Sequence, residues 1–362
     1  MRKRAAAARF QLRVYGPRSH APTRVVRRRR ALTNSAHNRH IHQSRLEHFH
    51  LHLAVRVSPS SRPSLLRLFG TLTVGTIAIS TSAPFIKLAG MRPFALASGR
   101  LLGVAILYAL VGRDLASAWR GLERRERARA IFAGMFLAAH LGCWIWAFEF
   151  TDLPSAVLLL VLQPLFAAWF GSFVFREKVT SSAITAVILA IAGLLIITFD
   201  DLTISPTQLV GDALAAAASL FMVIFMSLGR TLRPRMSLPA YMTMTYGGAG
   251  VWSLILALLM GVPLLGYPTS SYLWLLGLIL ITTGVGHAAF NYVLPHVRLF
   301  TVNIATVAEP ALSILGAVLF LGQRLTVYEL MGGILLVAAL FVGVRDEKQG
   351  TAATQIEQVA LE

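Results

Sequence analysis

The chain has 362 residues, 56% of them hydrophobic and only 14% charged, with a mean hydropathy of +0.64. Ordinary soluble domains run nearer ~45–50% apolar and ~25% charged, so this composition excludes one and points to lipid as the solvent. The net charge of +18 belongs to one end: residues 1–68 hold sixteen Lys and Arg, Arg27–Arg30 in a block, against the single acid Glu47. The remainder is close to neutral, so the charge gives the body of the chain no nucleic-acid partner.

Residues 1–67 form a basic tail with no continuous apolar stretch of a signal peptide. Three readings stay open. It is an over-called translation start with the true start near residue 55, an Arg-rich and acid-poor organelle transit peptide, or a disordered cytoplasmic arm that touches anionic lipid or nucleic acid. Its seven histidines (His20, His37, His40, His42, His48, His50, His52) are irregularly spaced, which argues against a metal site. The one cysteine, Cys143, lies in an apolar stretch and reads as a small hydrophobe; one thiol builds no disulfide or Cys-based metal site.

From residue 68 onward, apolar segments alternate with short polar loops. A hydrocarbon core of ~30 Å needs ~20 helical residues at ~1.5 Å each. Ten segments qualify: 68–88, 93–112, 129–150, 153–175, 182–199, 208–229, 238–262, 272–294, 299–321 and 326–344. The runs are too long for strands and lack a period of two, so a barrel does not fit. The expected fold is all-α integral membrane, with ten transmembrane helices. Residues 346–362 read as a disordered cytoplasmic tail.

Lys and Arg concentrate in alternate loops, and positive loops stay cytoplasmic. With the N-terminus inside, the inner loops carry Arg113, Arg120, Arg124, Arg125 and Arg127, then Arg176 and Lys178, then Arg230, Arg233 and Arg235, then Arg298. The outer loops carry Arg92, Asp152, Asp200 with Asp201, and an uncharged turn at residues 266–270. Arg324 is the exception. Ten spans with both termini cytoplasmic fit this pattern.

The most informative feature is self-similarity. Gln163-Pro164 and Glu309-Pro310, Arg176-Glu177-Lys178-Val179-Thr180 and Gly322-Gln323-Arg324-Leu325-Thr326, and Pro93 and Pro239 are all separated by 146 positions; His140 and His287 are 147 apart. This is a duplication, with repeats over 68–200 and 208–345. Five spans per repeat is an odd number, so the second copy is inserted upside down, as in many secondary transporters. The inversion also carries Arg324 to the side opposite its counterpart Lys178.

These motifs resemble the EamA-type branch of the drug/metabolite transporter superfamily. In that family each half ends with a Pro-containing helix, a Gly/Glu-basic-apolar-Thr turn and a Gly-containing last helix. Here the pattern reads Pro164, Arg176–Thr180, Gly193 and then Pro310, Gly322–Thr326, Gly332-Gly333, and Pro93 with Arg100 is similar to the family's first half. Two positions depart from it: Gln323 stands where Glu is usual and Arg176 where Gly is frequent. The resemblance implies secondary export or uptake of small metabolites, amino acids among them, without fixing the substrate.

Ionisable groups inside spans face a cavity or a partner. Glu309 precedes Pro310, which lacks an N–H and frees a carbonyl one turn earlier. A carboxylate beside a broken helix suits a proton or cation site, and Glu309 is the ion-coupling candidate; a hydrogen-bonded kink is the plainer alternative. Gln163 suits a polar substrate or interhelical glue. His140 and His287 occupy matching points of the two halves. Trp144 and Asn291 each follow a histidine by four residues and share its helix face. With Arg100 for a carboxylate, these residues form the expected substrate site; Arg100 serves equally to hold a neighbouring helix, each histidine to bond between helices, and Trp144 and Trp146 to pack or to join an interfacial aromatic belt. Lys87 and Asp212 read as interfacial charges.

H-E-x-x-H, G-x-S-x-G and Walker A sequences do not occur. The chain therefore reads as a secondary transporter of small organic metabolites, not an enzyme. No cofactor or metal is called for, and ion coupling and oligomeric state stay open. The bacterial inner membrane is the expected location. The alternative is a membrane-embedded lipid-modifying enzyme or a non-transporting scaffold.

Overall fold

The computed structural model describes residues 63–151, 156, 159–197, 206–312, 315 and 326–360. The readings made on the basic tail, on the start of the segment at 153–175, on the end of that at 299–321, and on Asp152, Asp200, Asp201, Gln323 and Arg324 lie outside the described residues.

Among the described residues every regular element is a helix. Seven helices are long and apolar enough to cross a membrane by length and composition: α1 (Leu65–Ala89), α2 (Pro93–Val111), α4 (Arg124–Ala147), α7 (Pro206–Arg235), α8 (Leu238–Leu259), α9 (Thr269–Val293) and the first part of α11, Val327–Arg345. Three shorter apolar helices complete the set: α5 (Leu159–Phe175), α6 (Ser181–Ile197) and α10 (Leu299–Leu312). The small helix α3 (Leu115–Gly121) bridges α2 and α4. Large apolar side chains face outward, among them Leu110 (82% exposed), Phe173 (79%) and Leu259 (78%). In water such a surface would drive aggregation; against lipid it is the appropriate solvent face.

Helix starts follow local chemistry. Pro93 and Pro239 sit in the first turns of α2 and α8, where a missing N–H costs nothing. The Thr180 hydroxyl accepts from the Ala183 N–H, and the Thr326 hydroxyl from the Glu329 N–H, both at 3.1 Å. The repeated threonine of the turn motif is thus the N-cap of each half's last helix. Arg176 closes α5 in the left-handed region at φ 55°, a conformation that glycine adopts without a steric penalty. That accounts for the frequency of Gly at this point of the motif.

One expectation fails. The C-terminal tail was expected to be disordered from residue 346, but α11 continues as helix to Ala360. Its sequence, rich in Ala, Gln and Glu, favours helix. Glu347 is buried and ion-paired to Arg298 at 2.9 Å.

Packing follows a rule. Number the ten apolar helices in chain order, leaving out α3. The second packs on the seventh (α2 on α8), the fourth on the ninth (α5 on α10) and the fifth on the tenth (α6 on α11). The first packs on the eighth (α1 on α9), and the third on the sixth (α4 on α7). Exchanging the first five helices for the last five maps this set onto itself. At the α6–α11 crossing two glycines let backbones touch: a Cβ on Gly193 would fall 2.8 Å from the Gly332 carbonyl oxygen, the small-residue contact typical of membrane helices.

Two pairs of irregularities matter for the site. A 3₁₀ turn, Leu159–Val161, opens α5 just before Gln163-Pro164, and another, Ala305–Val307, interrupts α10 just before Glu309-Pro310. These turns are 146 positions apart and touch each other. On the other side, α1 breaks at Ser80–Thr81, and α9 runs as a π-helix over Leu278–His287, packed against α1.

Candidate functional site

Between these four irregular helices and α2, α4 and α7 lies a small internal cavity of about 50 Å³, room for roughly three to five waters at ~10–15 Å³ each. All seven residues selected from sequence line it: Arg100, His140, Trp144, Gln163, His287, Asn291 and Glu309. Apolar neighbours Leu141, Met222, Met226 and Phe290 share its wall.

Arg100, fully buried in mid-α2, is the dominant cation. Its Nε donates to Thr283 Oγ1 at 2.6 Å, and one Nη1 hydrogen to Ser82 Oγ at 3.3 Å. Nη2 lies 3.3 Å from His287 Nε2. Guanidinium has donors only, so Nε2 is the acceptor. His287 Nδ1 then carries the proton and donates to the Tyr246 hydroxyl at 3.1 Å. Asn291 Nδ2 donates to the same hydroxyl at 2.9 Å and to the His287 carbonyl at 2.8 Å. The break in α1 supplies Ser82, and the π segment of α9 supplies Thr283 and His287. Among the described residues, one N–H on Nη1 and one on Nη2 are left over. One unengaged N–H on each Nη is what an arginine needs to take a carboxylate with two parallel bonds.

The opposite wall is less bonded. Glu309 is 8% exposed; among the described residues no hydrogen bond or ion pair engages its carboxylate, which lies within electrostatic reach of Arg100. Gln163 is 3% exposed and its Oε1 has no hydrogen-bond partner among the described residues. An unpaired buried oxygen is costly unless something else meets it. His140 donates from Nδ1 to the Ala218 carbonyl at 2.8 Å, which leaves Nε2 as its acceptor. The prolines at 164 and 310 remove the α-helical donors of the Leu160 and Thr306 carbonyls, and both residues line the cavity. The arrangement offers one positive grip, one carboxylate with spare oxygens, and an apolar wall edged by Trp144.

Lys87 and Asp212 lie away from this cavity. Lys87 is exposed in the last turn of α1, and Asp212 accepts from Thr151 Oγ1 at 2.9 Å. Sequence reasoning missed Tyr246, Ser82 and Thr283. The signal for Tyr246 was available: it stands 146 positions after Arg100.

One end of the bundle is tied by acids. Glu177, just after α5, accepts from Arg230 of α7 and from the Leu299 N–H at 3.4 Å. Glu347 accepts from the Arg298 N–H at 3.3 Å, from Arg298 Nε and from Thr301 Oγ1. Both carboxylates hold the N-terminus of α10, where unpaired N–H groups and the helix dipole favour negative charge. This is the helix that carries Glu309.

A bundle of apolar helices with lipid-facing side chains around a buried, charged, water-sized cavity defines a polytopic transporter of small solutes. The sequence profile of the EamA-like transporter family matches residues 68–199 and again 209–345, and the chain belongs to that family. It is a multi-pass integral membrane protein of a transporter family, not of an enzyme family. An uncharacterized transporter of Bacillus subtilis is 26% identical over 81% of this chain and 92% of its own length. A protein of Escherichia coli named a probable amino-acid metabolite efflux pump is 23% identical over 59% of this chain and 72% of its own. A crystal structure at 16% sequence identity superposes with a TM-score of 0.66, covering 79% of this chain and 99% of the other, a likeness of fold.

Proposed function

We propose that this transporter is a secondary one, moving small zwitterionic metabolites, apolar amino acids first among them, by alternating access between two inverted five-helix repeats. The observation that carries the reading is the meeting of opposite charge types in one cavity: Arg100 comes from the first half and Glu309 from the second. A zwitterion presents a carboxylate to the first and an ammonium to the second, so the cavity takes no net charge out of water. Gln163 Oε1 supplies a further acceptor for the ammonium. The exchange symmetry of the helix contacts supports the inverted repeat, because an odd number of spans per half places the second half upside down.

The cavity has room for roughly three to five waters, less than an apolar amino acid fills, so loading requires the halves to part. The ties at Glu177 and Glu347 must then loosen when α10 moves. Positive loops put these ties, and both termini, on the cytoplasmic side, and the bacterial relatives favour the bacterial inner membrane. The name of the Escherichia coli relative favours export. Glu309 is the coupling group: a buried carboxylate beside freed backbone carbonyls suits a proton or a small cation. Counterflow of radiolabelled amino acids into proteoliposomes tests the reading. Saturable counterflow of apolar amino acids is expected; a folded protein that moves no member of a broad amino-acid panel contradicts it.

A further inference from the structure

Tyr246 is fully buried in α8 and lies outside the cavity lining, yet it joins two of the residues that line it. Its hydroxyl receives Nδ1–H of His287 and Nδ2–H of Asn291. The His287 ring then has one orientation and one tautomer that satisfy both neighbours: Nδ1–H toward Tyr246, and the Nε2 lone pair toward Arg100. Had Nε2 carried the proton, two donors would face each other across 3.3 Å. Arg100 in turn has one hydrogen on Nη2 committed to His287, one on Nη1 committed to Ser82, and Nε committed to Thr283. With three of five donors committed, two remain for a carboxylate, and the plane that carries them is held in place. The relay runs across the halves, since Arg100 belongs to the first repeat and His287, Asn291 and Tyr246 to the second. Tyr246 is itself the residue 146 positions after Arg100, so one copy of the duplicated position holds the cation and the other holds the cation's support.

We propose that Tyr246 is a positioning residue for the substrate carboxylate: through His287 it holds the Arg100 fork in the orientation that accepts two carboxylate oxygens. The proposal rests on the reading of Arg100 as the carboxylate site and predicts a specificity effect, not a packing effect. Without the hydroxyl, the imidazole loses the acceptor that orients it, and Arg100 loses its fixed Nη2 partner. Discrimination between a carboxylate and an uncharged isostere should collapse, while turnover survives.

The probe pair is L-leucine and L-leucinamide, competing for counterflow in proteoliposomes. For wild type, the acid is expected to compete roughly 10- to 100-fold better than the amide, the range of a charge-assisted hydrogen bond. In Tyr246→Phe, which keeps the ring, that ratio should fall below about threefold with maximal flux within about twofold of wild type. Tyr241→Phe, an equally buried tyrosine of α8 outside the relay, should keep the wild-type ratio. A Tyr246→Phe protein that also keeps it overturns the proposal. If that variant does not fold, His287→Gln and His287→Leu decide. Glutamine can accept from Arg100 and donate to Tyr246, so it should retain discrimination that leucine loses, and equal loss overturns the proposal. A wild type that treats acid and amide alike, or responds to neither, contradicts the carboxylate reading itself.

Discussion

The two halves present different chemistry from matching positions around the cavity. Arg100, His140, Trp144 and Gln163 of the first half correspond to Tyr246, His287, Asn291 and Glu309 of the second. The backbone devices have stayed alike: a 3₁₀ turn before a Gln-Pro in one and before a Glu-Pro in the other, and a threonine cap on each last helix. The side chains have diverged, so that one half brings the cation and the other the acid. Duplication here preserved the parts that break and start helices, and freed the side chains that line the cavity. The regular pair α4–α7 and the irregular pair α1–α9 repeat the lesson. They are equivalent contacts, but only the second has the break and the π segment that aim Ser82, Thr283 and His287 at Arg100.

Making the two halves alike should have the largest effect. Arg100→Tyr places a tyrosine at both copies of the position and removes the fork; counterflow of carboxylate substrates should fall by roughly 100-fold or more. Arg100→Lys keeps the charge but not the two-pronged geometry, and a loss of roughly tenfold in apparent affinity is expected. Gly332→Val forces a side chain against the Gly193 backbone and should cost about 1–3 kcal/mol, read as a lower melting temperature in detergent. Glu177→Gln weakens the tie to Arg230 at one end only, so a few-fold change in flux with unchanged affinity is expected. The smallest effect belongs to Arg176→Gly, which relieves a left-handed backbone and should raise stability by up to about 1 kcal/mol. Chemical denaturation in detergent would check it.

Much of this was legible in the sequence, for physical reasons. Apolar length marks membrane helices because backbone groups in lipid must pair within the segment, and the prolines at 164 and 310 that interrupt α5 and α10 are visible in the chain. Arg100, Glu309 and the two histidines stood out because polar groups in spans are rare. What escaped was long-range or conformational. Tyr246 looks like one more aromatic in an apolar run until its hydroxyl is seen between His287 and Asn291. The π segment has no composition of its own; its Thr282-Thr283-Gly284 reads as ordinary helix. The extension of α11 to Ala360 was missed because polarity after residue 345 was read as disorder, although Glu347 is buried and paired with Arg298.

If the acid contributed by the second half couples solute movement to an ion, the coupling breaks at Glu309. The most direct measurement is uphill accumulation of L-leucine in proteoliposomes under an imposed proton gradient, then an imposed sodium gradient, for wild type and Glu309→Gln. One gradient is expected to drive accumulation in wild type, whereas Glu309→Gln, which removes the ammonium's partner together with the coupling group, should exchange leucine with a weaker apparent affinity and no longer respond to that gradient. A Glu309→Gln protein that accumulates leucine as wild type does would contradict the account.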